Sequence, residues 1–272
     1  MPIRLVAIDL DGTLVNDALT IHPRDIAAIK AATAAGVHVV IATGRMFRSS
    51  LPYARTLGLT GPMINYQGAV VRDIASGAVL YQCELTVEMQ RRVLAYAEPR
   101  DWHVNVYVDE QVFTERARPE ADLYARISGV PYEAVGTLSK WVSRDSTKMV
   151  LVDSDPATVP ARMADLTAWM GPVAKVTRSL AWFMEVINPQ VSKATALAMV
   201  ADRLGVAQAD VCAIGDNKND EEMIAWAGLG VAMGDAPPEV QAIAGYVART
   251  VNEAGVAEVL ERFVLGKETA RA

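Results

Sequence analysis

Short apolar runs that stop abruptly at a polar residue constrain this chain more than any other feature. Ile3–Ile8 is almost continuously apolar and β-branched, and it ends at Asp9. Val37–Ala42 ends at Thr43, Pro62–Ile64 at Asn65, and Val211–Ile214 at Gly215-Asp216. Runs this short and this uniformly apolar predict strands buried on both faces, as in a parallel sheet. Helical segments are expected among them: Arg24–Ala35, closed by Gly36, then Lys193–Leu204, Glu221–Ala227 and a terminal helix over Ala254–Phe263. Gly230–Met233 reads as one more strand. This alternation predicts an α/β fold with a doubly wound, Rossmann-like parallel sheet. In such sheets ligands bind beyond the carboxyl ends of the strands. If the strands are parallel neighbours, Asp9, Thr43, Asn65 and Asp216 converge on one crevice.

The middle of the chain has another rhythm. Val104–Val108 and Val112–Thr114 flank Asp109-Glu110 in the manner of a hairpin. Thr147–Val152 reads as a strand, Thr158–Met170 as a helix, and Val173–Thr177 with Ala181–Ile187 as a second antiparallel pair. Residues 84–186 therefore read as an α+β module inserted between two halves of the core, 1–83 and 187–272.

Bulk properties remove several function classes. A net charge of -6 argues against nucleic-acid binding through a broad basic surface, though not against a local anion site. Cys83 and Cys212 lie far apart and outside any metal-binding spacing, so two reduced thiols are expected. The N-terminus MPIRLVAIDLDG meets acidic residues too early for a signal peptide, and no apolar run approaches the roughly 20 residues of a membrane helix. The expectation is a cytoplasmic protein with no membrane partner.

The chemistry concentrates in Asp9-Leu10-Asp11-Gly12-Thr13. Two aspartates this close at a strand end repel unless a cation or proton intervenes, and a hard, oxygen-liganded cation such as Mg²⁺ answers that need. One carboxylate can then act as a nucleophile while the other manages protons. Thr43-Gly44-Arg45 offers a hydroxyl, an accessible amide and a guanidinium, which suit phosphate oxygens. Lys193 opens a helix behind the N-cap candidate Ser192, where a cation opposes the helix dipole, a local conflict of the kind that marks function. Asp216 and Asp220, around a glycine-led turn into a helix, can supply further metal ligands. Taken singly, each motif also fits an ordinary turn, cap or surface charge.

Together and in this order, DxDGT, Thr-Gly-Arg, Lys and GDxxND resemble the haloacid dehalogenase (HAD) superfamily of phosphohydrolases. The insert is similar to the cap of its Cof-type subfamily, as are the segments Gly228–Asp235 and Asn252–Leu260. The resemblance implies a Mg²⁺-dependent phosphatase of a small phosphorylated metabolite, such as a sugar phosphate or phosphorylated cofactor. It implies Asp9 as the nucleophile that becomes an aspartyl-phosphate and Asp11 as general acid and base. Thr43, Gly44 and Lys193 would bind the phosphoryl group, and Arg45, Asn65 and Asn188 would face the substrate. Asp9, Asp216, Asp220 and the backbone carbonyl of Asp11 would hold the metal. Gln67, Asn188-Pro189-Gln190 and Asp235 depart from the family pattern at positions expected near the leaving group. A phosphomutase remains an alternative, with Arg116, Arg118, Arg126 and Arg178 as candidates for a second phosphate. A non-catalytic anion-binding protein is a third. A monomer or homodimer is expected.

Overall fold

The structure is a computed structural model that describes residues 2–178 and 180–266. The chain forms two compact units. The first takes the residues to Thr43, Ser50–Leu80 and those from Ser192 onward; the second takes Gly44–Ser49 and Tyr81–Val191. In chain order the strands are β1 (Leu5–Ile8), β2 (His38–Ile41), β3 (Pro62–Asn65), β4 (Val70–Asp73) and β5 (Val79–Gln82). There follow β6 (His103–Val108), β7 (Gln111–Thr114), β8 (Tyr132–Ala134), β9 (Lys148–Val152), β10 (Lys175–Arg178) and β11 (Phe183–Ile187). The chain closes with β12 (Val211–Gly215), β13 (Leu229–Ala232) and β14 (Tyr246–Val247).

In the first unit a five-stranded sheet has the order β14-β13-β12-β1-β2, with every pairing parallel. Leu5, Val6, Ala7 and Ile8 sit opposite Val211, Cys212, Ala213 and Ile214, and all eight are buried. Burial on both faces is why these runs do not alternate, each large side chain contributing roughly 1.5–3 kcal/mol. Helices Pro23–Ala34, Lys193–Leu204 and Glu221–Trp226 lie where the sequence pattern expects them. The expected terminal helix begins at Gly255 and continues as a π-helical turn over Leu260–Val264.

One strand departs from expectation. Instead of extending the parallel sheet, β3 pairs antiparallel with β4 in a separate three-stranded sheet, β3-β4-β5. The Ala42–Ile64 bridge and the Thr43 amide, which donates to the Ile64 carbonyl at 2.9 Å, join it to the end of β2. The cause is the 3₁₀ turn Tyr66–Gly68, in which Tyr66 and Gln67 both take left-handed φ (53° and 61°) and send the chain straight back along β3.

The second unit is a six-stranded sheet of order β10-β11-β9-β6-β7-β8, antiparallel except for β7 with β8. Asp109 and Glu110 take φ of 51° and 61° and close the β6–β7 hairpin in the tight turn that matches strand twist. Val104, Val106, Met149, Leu151, Met184 and Val186 share one core with Val93 and Leu94 of helix Val87–Ala97 and Leu166 and Met170 of helix Val159–Met170. The alternate residues of β6, His103, Asn105 and Tyr107, are buried as well, so this sheet carries a polar buried layer on its other face. Among the described residues, no helix is long and apolar enough to cross a membrane.

Candidate active site

The parallel pairing of β12, β1 and β2 brings their carboxyl ends to one edge of the sheet. Asp9 follows β1 directly, its amide donating to the Ile214 carbonyl at 2.9 Å, and its side chain is buried. Beyond it the chain folds into a tight loop. The Leu10 carbonyl accepts from the amides of Leu14 and Val15, and the Gly12 amide donates to the Val15 carbonyl. Gly12 has φ +87°, and a Cβ there would come within 2.4 Å of Asp216 Oδ2. Only glycine lets this loop pass so close to the carboxylate that follows β12.

Lys193 is the first residue of its helix, and its side chain is buried. Ser192 caps that helix by accepting from the Thr195 amide at 3.1 Å, which fixes where the lysine starts. The Lys193 ammonium donates to Asp9 Oδ1 and to Asp220 Oδ1. Asp220 in turn accepts from the Asp216 and Asn217 amides, both at 3.1 Å, through Oδ2. The Thr13 hydroxyl donates to Asp216 Oδ1 at 2.9 Å. Sequence reasoning did not assign Thr13 a role; its place as the last residue of the first motif was the available signal.

Asp9, Asp216 and Asp220 each offer a carboxylate oxygen, all within 4.8 Å of one another. Their electrostatics follow from crowding in a dry place. Burial, and then the charge of Asp220, push the Asp9 carboxyl well above its usual range. The same two causes raise Asp216 to about 7, against the opposing hydrogen bond from Thr13. Burial alone would depress Lys193, but Asp220 and Asp9 outweigh it and hold the ammonium above its ordinary value. Asp9 and Asp220 thus share one lysine, with the Asp216 carboxylate beside them. An oxygen-only donor set with surplus negative charge fits a hard divalent cation.

Thr43 is fully buried, its carbonyl accepting from the Gln67 amide at 3.1 Å. Asn65 donates to Ser50 Oγ at 2.8 Å, and Gln67 accepts through Oε1 from the Asn219 side chain at 3.1 Å. The first unit therefore brings together Asp9, Lys193, Asp216 and Asp220, with Asp11 two residues beyond Asp9. Gly44, Arg45 and Asn188 belong to the second unit. There Asn188 donates to the Glu84 carbonyl at 2.8 Å and accepts from the Gln190 amide at 3.0 Å.

Comparison with known proteins places this arrangement. The sequence profile of the haloacid dehalogenase-like hydrolases matches residues 6–260. The 5-amino-6-(5-phospho-D-ribitylamino)uracil phosphatase of Bacillus subtilis (strain 168) is 32% identical over 267 residues, covering 95% of this chain and 97% of that protein. The HMP-PP phosphatase of Serratia proteamaculans (strain 568) is 30% identical over 241 residues, covering 88% and 87%. A haloacid dehalogenase-like hydrolase from Bacteroides thetaiotaomicron, of known structure, superposes with a TM-score of 0.85 at 27% identity, covering 96% of this chain and 99% of that one. The family expected from the four motifs is the family found, as is the α/β fold with an inserted cap. The chain belongs to the haloacid dehalogenase-like hydrolases.

Proposed function

We propose that the chain is a Mg²⁺-dependent phosphatase that hydrolyses a small phosphorylated metabolite through an aspartyl-phosphate on Asp9. The observation that carries this is the buried contact of Lys193 with Asp9 and Asp220 at the carboxyl edge of the parallel sheet. The lysine opposes the protonation of Asp9 that burial and three neighbouring carboxylates favour, and so supports it as the nucleophile. An Asp9 oxygen attacks phosphorus and the bond to the leaving oxygen breaks, while Asp11 gives that oxygen a proton. Asp11 then takes a proton from water, whose oxygen attacks the same phosphorus and frees Asp9. The Thr43 hydroxyl and the amide that follows it, that of Gly44, hold phosphoryl oxygens, and Lys193 offsets their charge. Asp9, Asp216 and the Asp11 carbonyl are the metal ligands in this reading, with Asp220 close behind or joined through water, where it also orients Lys193 and the turn before it. The metal, when bound, supplies charge neutralisation for the incoming phosphate dianion.

The names of two relatives, each a phosphatase of a low-molecular-weight organic phosphate, support a small substrate. No observation favours the mutase. Arg116 and Arg118, two of its four candidates for a second phosphate beside Arg126 and Arg178, are engaged by Asp101 and Glu120 within the inserted unit.

The test is a panel of sugar and nucleotide-precursor phosphates assayed with Mg²⁺, with EDTA, and with Asp9→Asn. Phosphate release is expected to need the metal and to fall at least about a thousandfold in the variant. Hydrolysis that survives either change overturns the mechanism.

A further inference from the structure

Lys148 and Glu185 form a buried ion pair that the chemistry at Asp9 does not use. Lys148 opens β9, whose remaining residues are Met, Val, Leu and Val, and it is 3% exposed. Glu185 lies in the middle of β11 and is 2% exposed. The Nζ donates to Glu185 Oε1 at 3.0 Å and lies 5.1 Å from the centre of the Tyr107 ring. The Nζ also donates to the backbone carbonyl of Gly44, at 3.0 Å.

Stability does not account for such a pair. Taking two charges out of water costs several kcal/mol per ion, and well-packed apolar side chains hold neighbouring strands at least as well. Apolar side chains cannot, however, hold a carbonyl. Gly44 needs holding: without a Cβ it has the widest backbone freedom of any residue, and that same bareness is what leaves its amide open to an anion. Gly44–Ser49 packs in the same compact unit as Lys148 and Glu185, so the clamp and the peptide it grips belong to one unit.

We infer that Lys148, charged and aimed by Glu185, is a positioning residue that fixes the Gly44 backbone so that its amide is preset to receive a phosphoryl oxygen. The inference rests on the phosphatase reading, in which the Gly44 amide binds phosphate. The glycine supplies access, and the lysine supplies the rigidity that the glycine lacks.

The experiment compares wild type with Lys148→Met and with Lys148→Met/Glu185→Met, which removes both members of the pair. KM, kcat, the inhibition constant of inorganic phosphate and the melting temperature are measured for each. The double variant is expected to melt near the wild-type temperature while KM and the phosphate inhibition constant rise about tenfold, as loss of one well-placed hydrogen bond predicts. A purely structural pair would instead lower the melting temperature or the active fraction and leave both constants unchanged, and that result overturns the inference. If wild type is active on the panel and the double variant matches it, positioning fails alone. If wild type neither hydrolyses any phosphate ester nor binds phosphate, the phosphatase reading fails and positioning with it.

Discussion

At the scale of single residues, the molecule spends stability in order to hold charge where it is dry. Asp25 shows this away from the site. It is fully buried, accepts from the Ala257 amide at 2.7 Å through Oδ1, and its Oδ2 has no hydrogen-bond partner among the described residues. Burial, opposed by that one amide, raises its carboxyl from 3.8 to about 6. Between those values the folded protein holds a proton that the unfolded chain has released. Stability from this group therefore falls as pH rises through that window and is constant above it, a loss of about 3 kcal/mol. Asp25→Asn keeps the acceptor and removes the titration. Urea unfolding at pH 4.5 and pH 7 is expected to show the variant gaining on wild type at the higher pH; an unchanged difference contradicts the account. The residue scale is also where sequence reading was least complete. Asp9, Lys193, Asp216 and Asp220 were legible because polar residues that end apolar strands, or open a helix against its dipole, break a local rule. Lys148 and Glu185 were not, because a charged residue within a strand reads as a solvent-facing one until the partner strands are known.

At the scale of elements, position is set by caps and strand ends. Ser192 is the N-cap of the helix that begins at Lys193; its side chain accepts from the Thr195 amide, and its own amide donates to the Thr195 hydroxyl. Ser192→Ala is expected to cost about 1 kcal/mol of stability. Because the first turn then frays under Lys193, it is expected to lower activity more than that loss of folded protein explains. Melting temperature and kcat/KM measured on the same samples check this, and unaltered kcat/KM contradicts it. The strands β1, β2 and β12 were legible from uniform apolarity, since a parallel strand covered on both faces is apolar at nearly every position. The fate of β3 was not. Its reversal depends on Tyr66 and Gln67 adopting left-handed φ, a conformation that neither residue type signals. Nor could a pattern of period two reveal that both faces of β6 are buried, one apolar and one bearing His103, Asn105 and Tyr107.

At the scale of the whole molecule, the chain divides its work between two units, each with a sheet and a core of its own. The second unit is nearly contiguous in sequence, and its core draws on four strands and three helices between Leu85 and Ile187. A fragment of residues 81–191 is expected to fold alone, with dispersed amide resonances and a single cooperative unfolding transition; a disordered fragment contradicts that expectation. The first unit is discontinuous, yet it alone assembles Asp9, Lys193, Asp216 and Asp220. Asp9, Lys193 and the carboxylates fit for a metal are thus gathered from both ends of the chain by one parallel sheet. The account stands on Asp9 becoming covalently phosphorylated, and rapid quenching of the wild-type enzyme during turnover, followed by borohydride reduction and peptide mass spectrometry, tests that most directly. Homoserine at position 9, appearing only with substrate, is the predicted result; steady turnover with an unmodified Asp9, or reduction at another residue, would contradict it.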